Sequence, residues 1–257
     1  MSNYYYLASS WPPLDFPSSP DISFSSISES LHLNLSANDS KQIGALRLFV
    51  DISNIRPLLI EEKIDSRGNF SEKDLDEALL VKDFLPEYVF DFLDKYDTLP
   101  AKLQHFSELF TQFFTHELEK HKGFLKRYFS FEREWRLVIL ALRAKAAKRD
   151  IIKELQFEDF SDPLVAQILA QKDAESYEPP LEYQELKEQF LLCGPDPWQQ
   201  HKMLCGYRFM KIQEMVNGGQ FSIDAILAYL AQLMIIEYWN ELDKQRGMVI
   251  LDTFTST

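Results

Sequence analysis

The side chains that could carry chemistry are few, and their spacing is against them. His116 and Glu117, followed by His121, have the residue types of a zinc-hydrolase helix, but the histidines stand five apart, where four would put both on one face. The five histidines do not provide the pair of Glu-x-x-His motifs that a di-iron bundle needs. Asp91, Asp94 and Asp97 form a carboxylate row that could hold magnesium. Lys95 interrupts the row and no second acidic motif accompanies it, so it reads as a solvated helix end. None of the eight glycines falls in a phosphate-cradling G-x-G-x-x-G or G-x-x-x-x-G-K-[ST] loop. There is no G-x-S-x-G elbow, and neither Cys193 nor Cys205 has a nucleophile's local signature. The sequence therefore predicts no catalytic residue, no cofactor and no metal.

The elements that would position any site are helices. The chain has 257 residues, 46% of them hydrophobic, with only 8 glycines and 12 prolines, enough apolar material for a sizeable core and few breakers. Ile43, Leu46, Phe49, Val50 and Ile52 recur at helical steps from Asp39 to Pro57. Ser71 offers a cap for a helix through Leu80, another follows Pro86, and Asp162-Pro163 opens a further one. Phe131 to Phe160 reads as the strongest helix, rich in alanine, leucine and arginine without a breaker. Helices over 199–216 and 222–245, joined by Asn217-Gly218-Gly219-Gln220, predict an antiparallel hairpin. Residues 12–40, rich in serine and proline, alternate at Ile22, Phe24, Leu31, Leu33 and Leu35 and suggest short extended pieces or irregular wrapping. The strand and helix rhythm of a doubly wound fold is absent, so the expectation is an all-α chain forming a single domain over residues 1–257.

Charge narrows the partners. Forty acidic against 27 basic residues give −13, a field that repels phosphate backbones and argues against nucleic acid. Two cysteines are too few for a disulfide framework, and the opening MSNYYYLASSWPPL has no basic segment ahead of an apolar core. The longest uncharged apolar run, Ala225 to Ile236, has twelve residues where a membrane span needs about twenty. A cytoplasmic location is expected. Against this balance Lys126 to Lys153 carries nine basic and three acidic residues. Arg136, Arg143, Lys145, Lys148 and Arg149 are its candidate partner-binding cations, for an acidic protein or anionic headgroups. The alternative is a central helix whose arginines pair internally.

Three segments share a spacing: Asp51-x-x-Asn54, Glu132-x-x-Trp135 and Glu237-x-x-Asn240 each set a carboxylate one helical turn from a polar-capable side chain. Taken singly, such pairs tie helix surfaces together, since buried polar groups must be partnered. Their repetition, centred near 39–60, 131–155 and 222–246, resembles the helical repeats of the C-type (eukaryotic d-type) central-stalk subunit of V-type and A-type ATPases. ALRAK (Ala141 to Lys145) and Tyr4-Tyr5-Tyr6-Leu7-Ala8 are similar to that family's helix end and opening. The chain resembles more closely an uncharacterised bacterial family found with V-type ATPase genes, through YYYLASSWP, DISNIRPLL and FSIDAILAYLAQL. Trp135 departs from asparagine, and no arginine follows Ala8.

That resemblance implies repeated antiparallel bundles and a non-catalytic central-stalk role. The partners would be the rotor shaft and the membrane ring, with peripheral contact at the cytoplasmic membrane face during proton or sodium transport. Two rivals remain: a helical enzyme with an internal pocket using Asp91, Asp94 and Asp97 or Glu237, and a soluble scaffold or regulator.

Overall fold

The structure is a computed structural model describing residues 4–217 and 219–255, with side chains described for all of these except His32 and residues 243–255. Its helices are α1 (Tyr5–Ser9), α2 (Phe24–Asn34), α3 (Ala37–Leu59), α4 (Glu72–Val81), α5 (Glu87–Lys95), α6 (Leu99–Gln104) and α7 (Phe106–Lys120). There follow α8 (Gly123–Ala146), α9 (Ile151–Glu154), α10 (Pro163–Ala170), a 3-10 turn at Leu181–Tyr183, α11 (Gln184–Leu192), α12 (Pro197–Glu214) and α13 (Ile223–Thr255). No strand occurs among the described residues, so the chain is all-α.

Two compact units make up the chain: one takes residues up to Ile43 and from Gln189 onward, the other Gly44–Glu188. In the first, α12 and α13 form the expected antiparallel hairpin, with Trp198 and Trp239 rings 4.4 Å apart and Gln232 Nε2 donating to the Phe209 carbonyl at 3.0 Å. Asp196 Oδ1 accepts from the Trp198 and Gln199 amides, and Pro197 sits at the first helical position, so the start of α12 is fixed by its own sequence. Tyr4 is buried, and its hydroxyl donates to Asp39 in the first turn of α3.

The second unit is organised around α8, which packs against α7, α9 and α10. Its alanines and leucines favour helix, and it is apolar nearly all round: Trp135, Leu137, Val138, Ile139 and Leu142 are all buried. The Phe49 ring of α3 lies 5.2 Å from Phe113 and 5.6 Å from Phe114. Each such ring contributes roughly 1.5–3 kcal/mol by leaving water.

Two expectations need correction. Residues 24–34 are helical: Phe24, Ile27 and Leu31 are the buried set, at steps of three and four, while Leu33 of the apparent alternation is 83% exposed. Ser23 Oγ accepts from the Ser26 amide and starts that helix. Between α6 and α7 the backbone leaves the helical region at His105, whose ring stacks on Tyr96 at 4.5 Å. The helix expected over 131–160 begins at Gly123 and stops at Ala146.

Lys148 makes that stop, because it adopts φ 53°. Arg149 N–H then reaches the Ala144 carbonyl at 2.8 Å and Lys148 N–H the Lys145 carbonyl at 3.1 Å, the paired bonds of a Schellman ending. Glycine is the usual residue at that position, which is why the sequence carries no stop signal there. Lys148→Gly should therefore raise the stability of the second unit by roughly 1 kcal/mol in urea unfolding, by removing the left-handed penalty. An unchanged or lowered midpoint would contradict the ending described.

Candidate functional site

The three carboxylate pairs have different surroundings. Asp51 is fully buried on α3. Its Oδ2 accepts from Asn69 Nδ2 at 2.7 Å and its Oδ1 from the Phe70 amide at 3.2 Å. One turn on, Asn54 donates to the Asp65 carbonyl and accepts from the Asp65 amide, both at 2.8 Å, pairing with that backbone as a neighbouring strand would. The Asp65 side chain holds Arg67, itself buried, through Nε at 2.7 Å and Nη2 at 2.9 Å. Arg47 donates to the carbonyls of Arg67 and Gly68. Asp51 and Asn54 thus tie α3 to the loop 60–70. Gly68 is required there because a Cβ would collide with Asp51 Oδ1.

Burial pushes the Asp51 pKa up from 3.8 to about 6, while the bonds from Asn69 and Phe70 and the charge of Arg47 pull it down. The charged form is costly in this cradle even though it is partnered.

Glu132, also fully buried, accepts from Trp135 Nε1 at 3.1 Å within its own helix and lies 3.6 Å from Arg136 Nε. In the first unit Glu237 Oε1 accepts from the Phe24 amide at 2.6 Å, placing a carboxylate at the start of α2, where the helix dipole favours it. Asn240 is half-buried on the same helix as Glu237.

The basic segment is divided: Arg127, Arg133, Arg136 and Lys145 are half-buried, while Lys126, Arg143, Lys148, Arg149 and Lys153 are exposed. The Arg136 guanidinium lies over the rings of Phe49 at 4.8 Å and Phe110 at 5.3 Å. Arg133 is paired with Glu158 at 2.7 Å and Asp162 at 2.9 Å. Lys145 donates to the carbonyls of Gln171, at 2.7 Å, Lys172 and Ala174, a cation placed where the chain leaves α10. Arg149 meets Glu154 at 2.8 Å. Arg143 and Lys148 are exposed. The acidic row is on the surface as well: Asp91, Asp94 and Asp97 are exposed, and Asp94 pairs with Lys82 at 2.6 Å. His121 Nε2 is hydrogen-bonded to buried Glu117 at 2.7 Å, and the His116 ring packs 5.3 Å from Tyr88. Among the described residues no three His, Cys, Asp or Glu side chains converge to hold a metal ion.

A cleft of about 650 Å³ lies in the first unit, between the segment after α1 and the α12–α13 hairpin. Trp11 and Tyr229, 4.8 Å apart, Pro12 and the carboxamides of Gln213, Gln220 and Gln232 line it. Among the described residues no acidic or basic side chain does. Tyr229 donates to the Pro12 carbonyl at 2.8 Å, and burial pushes its pKa up to about 12. The cleft offers hydrogen bonds and flat apolar surfaces rather than a proton donor or acceptor tuned to neutral pH. No sequence pattern signals it, because its walls are far apart in the chain.

With this geometry in view, the sequence matches the profile of a family described as "Protein of unknown function (DUF2764)" over residues 1–255. The chain belongs to that family. DUF2764 relatives include an "Uncharacterized protein" of Chlamydia trachomatis serovar D (strain ATCC VR-885 / DSM 19411 / UW-3/Cx), 31% identical over 98% of this chain and 97% of its own length. Another, from Chlamydia muridarum (strain MoPn / Nigg), is 30% identical over the same shares. A Chlamydia pneumoniae relative is 32% identical over 91% of this chain and 90% of its own. No solved structure matches.

Two outcomes follow. Because the Asp51 pKa is raised in the folded state, the stability its neutral form contributes is fully present below pH 3.8 and lost as pH rises through about 6. Between about pH 4 and pH 7.5 the wild type should thus lose up to about 3 kcal/mol of unfolding free energy relative to Asp51→Asn. A difference independent of pH would contradict this. Lys145→Met should cost about 2 kcal/mol in urea unfolding, having removed a charged donor from three carbonyls; a change within experimental scatter would contradict the clasp.

Proposed function

We propose that this chain is a non-catalytic helical subunit of a V-type ATPase or ATP synthase. It sits in the central stalk and links the rotor shaft to the membrane ring while ATP chemistry is coupled to proton or sodium movement. Its contact with the membrane is peripheral, at the cytoplasmic face, and among the described residues no helix is long and apolar enough to cross one.

The observation that carries this reading is the inward use of the polar side chains in the segments that resemble the ATPase-linked family. Asp51 and Asn54 of DISNIRPLL lock a loop onto α3, and Tyr4 of the tyrosine-rich opening bonds Asp39. Side chains so engaged stiffen the body, which suits a part that transmits torque through shape and bonds nothing covalently. The docking surface is drawn from exposed residues of the basic end of α8, Arg143 and Lys148 among them.

A helical ligand-binding regulator is the second reading, favoured by the uncharged cleft of the first unit. Purification of the tagged protein from gently solubilised cells of its own organism, followed by mass spectrometry, separates the two. The rotor reading predicts shaft and ring subunits at near-equal abundance. Recovery of the protein without them would overturn it.

A further inference from the structure

The connection between α4 and α5, in the second unit, is built against local preference. Lys82 ends α4 in the left-handed region at φ 55°, and two residues later Phe84 adopts φ 67°. A glycine would meet that second requirement without the clash between Cβ and carbonyl that a phenylalanine brings. The conformation is held by neighbours: the Phe84 amide donates to Asp83 Oδ1 at 2.7 Å, and Leu85, the next residue, is buried. Lys82 Nζ reaches both Asp94 oxygens, at 2.7 and 2.6 Å, and ties the turn to α5.

This backbone carries the Phe84 ring outward, 74% exposed. Leu80 and Val81, in the last turn of α4, are 76% and 56% exposed, so three large apolar side chains stand exposed within five residues at the end of that helix. Single exposed apolar residues are ordinary; an aromatic on an unfavourable backbone beside two aliphatics is not. The rim is mostly acidic. From Glu72 to Asp97 there are nine acidic and three basic residues, all exposed. Asp76 and Glu77 share the helix face of Leu80, at four and three residues' distance.

We propose that the Leu80-Val81-Phe84 corner is a docking knob that inserts into an apolar pocket rimmed by lysine and arginine on a different protein. The ring supplies the buried anchor, and the carboxylates steer and register the approach. The acidic rim selects against an anionic membrane surface and against another copy of this chain, which carries −13 overall. The corner would serve in this way whatever assembly the chain enters, the rotor included.

The test uses the full-length protein with p-benzoyl-phenylalanine in place of Phe84. It is added to an extract of its own cells, irradiated, and the cross-linked peptide is sequenced. The expected result is one dominant adduct, on a peptide of another protein with apolar residues flanked by lysine or arginine. Excess unlabelled wild type should suppress the adduct at least tenfold more effectively than Phe84→Gly. The charge reversal Asp76→Lys with Glu77→Lys, at exposed positions in the middle of α4, should reduce it by a similar factor. Phe84→Gly should unfold at the same temperature as wild type or higher, since glycine takes the required φ freely. An adduct on this chain itself or on lipid, no adduct, equal competition by Phe84→Gly, indifference to the charge reversal, or a lowered Phe84→Gly midpoint would each overturn the proposal.

Discussion

A carboxylate with no access to water must be given partners by the chain around it, and the second unit is arranged to meet that demand at Asp51. Arg47, Asn54, Asp65, Arg67, Gly68 and Asn69 are all committed, directly or at one remove, to the polar node it anchors. Apolar packing among the phenylalanines of α3, α7 and α8 supplies most of the attraction, but it is non-directional. Hydrogen bonds with defined partners set where the loop 60–70 lies on α3, and thus where α4 begins. The same use recurs elsewhere: Lys145 fixes the exit from α10, Arg133 fixes the segment ahead of it, and in the first unit Glu237 fixes the start of α2.

Much of the helical layout was legible because capping is local chemistry. Ser71, Asp162 with Pro163 and Asp196 with Pro197 announce α4, α10 and α12, and the spacing of Ile43, Leu46 and Phe49 announces α3. The misreadings have local causes too. In α2 a serine-rich stretch of modest helix preference hides its buried set behind a coincidental alternation. At the end of α8 a lysine occupies a glycine's conformation. The site was harder. The four-residue frame of Asp51 and Asn54 is visible in sequence, but their partners come from a loop eleven to nineteen residues on. A charge count cannot separate Lys145, facing carbonyls, from Lys148, facing solvent.

Together these features describe a DUF2764 protein whose buried charges hold its units in shape while its surface keeps a strong acidic bias. The basic run from Lys126 to Lys153 is split: Arg133, Arg136 and Lys145 serve as internal partners, while Lys126, Arg143, Lys148, Arg149 and Lys153 are exposed. The surface also offers the acidic, apolar corner at Phe84 and, in the first unit, an uncharged cleft. Both have the chemistry of a surface that recognises another molecule.

The most direct test of the structural account is native-state hydrogen exchange at the Asp65 and Phe70 amides, which donate to Asn54 and Asp51. If the node holds the loop, both amides, though outside any helix, should exchange as slowly as the core amides of α3, and only through opening of the whole unit. Exchange at the rate of an ordinary surface loop would show that the buried carboxylate does not organise its surroundings.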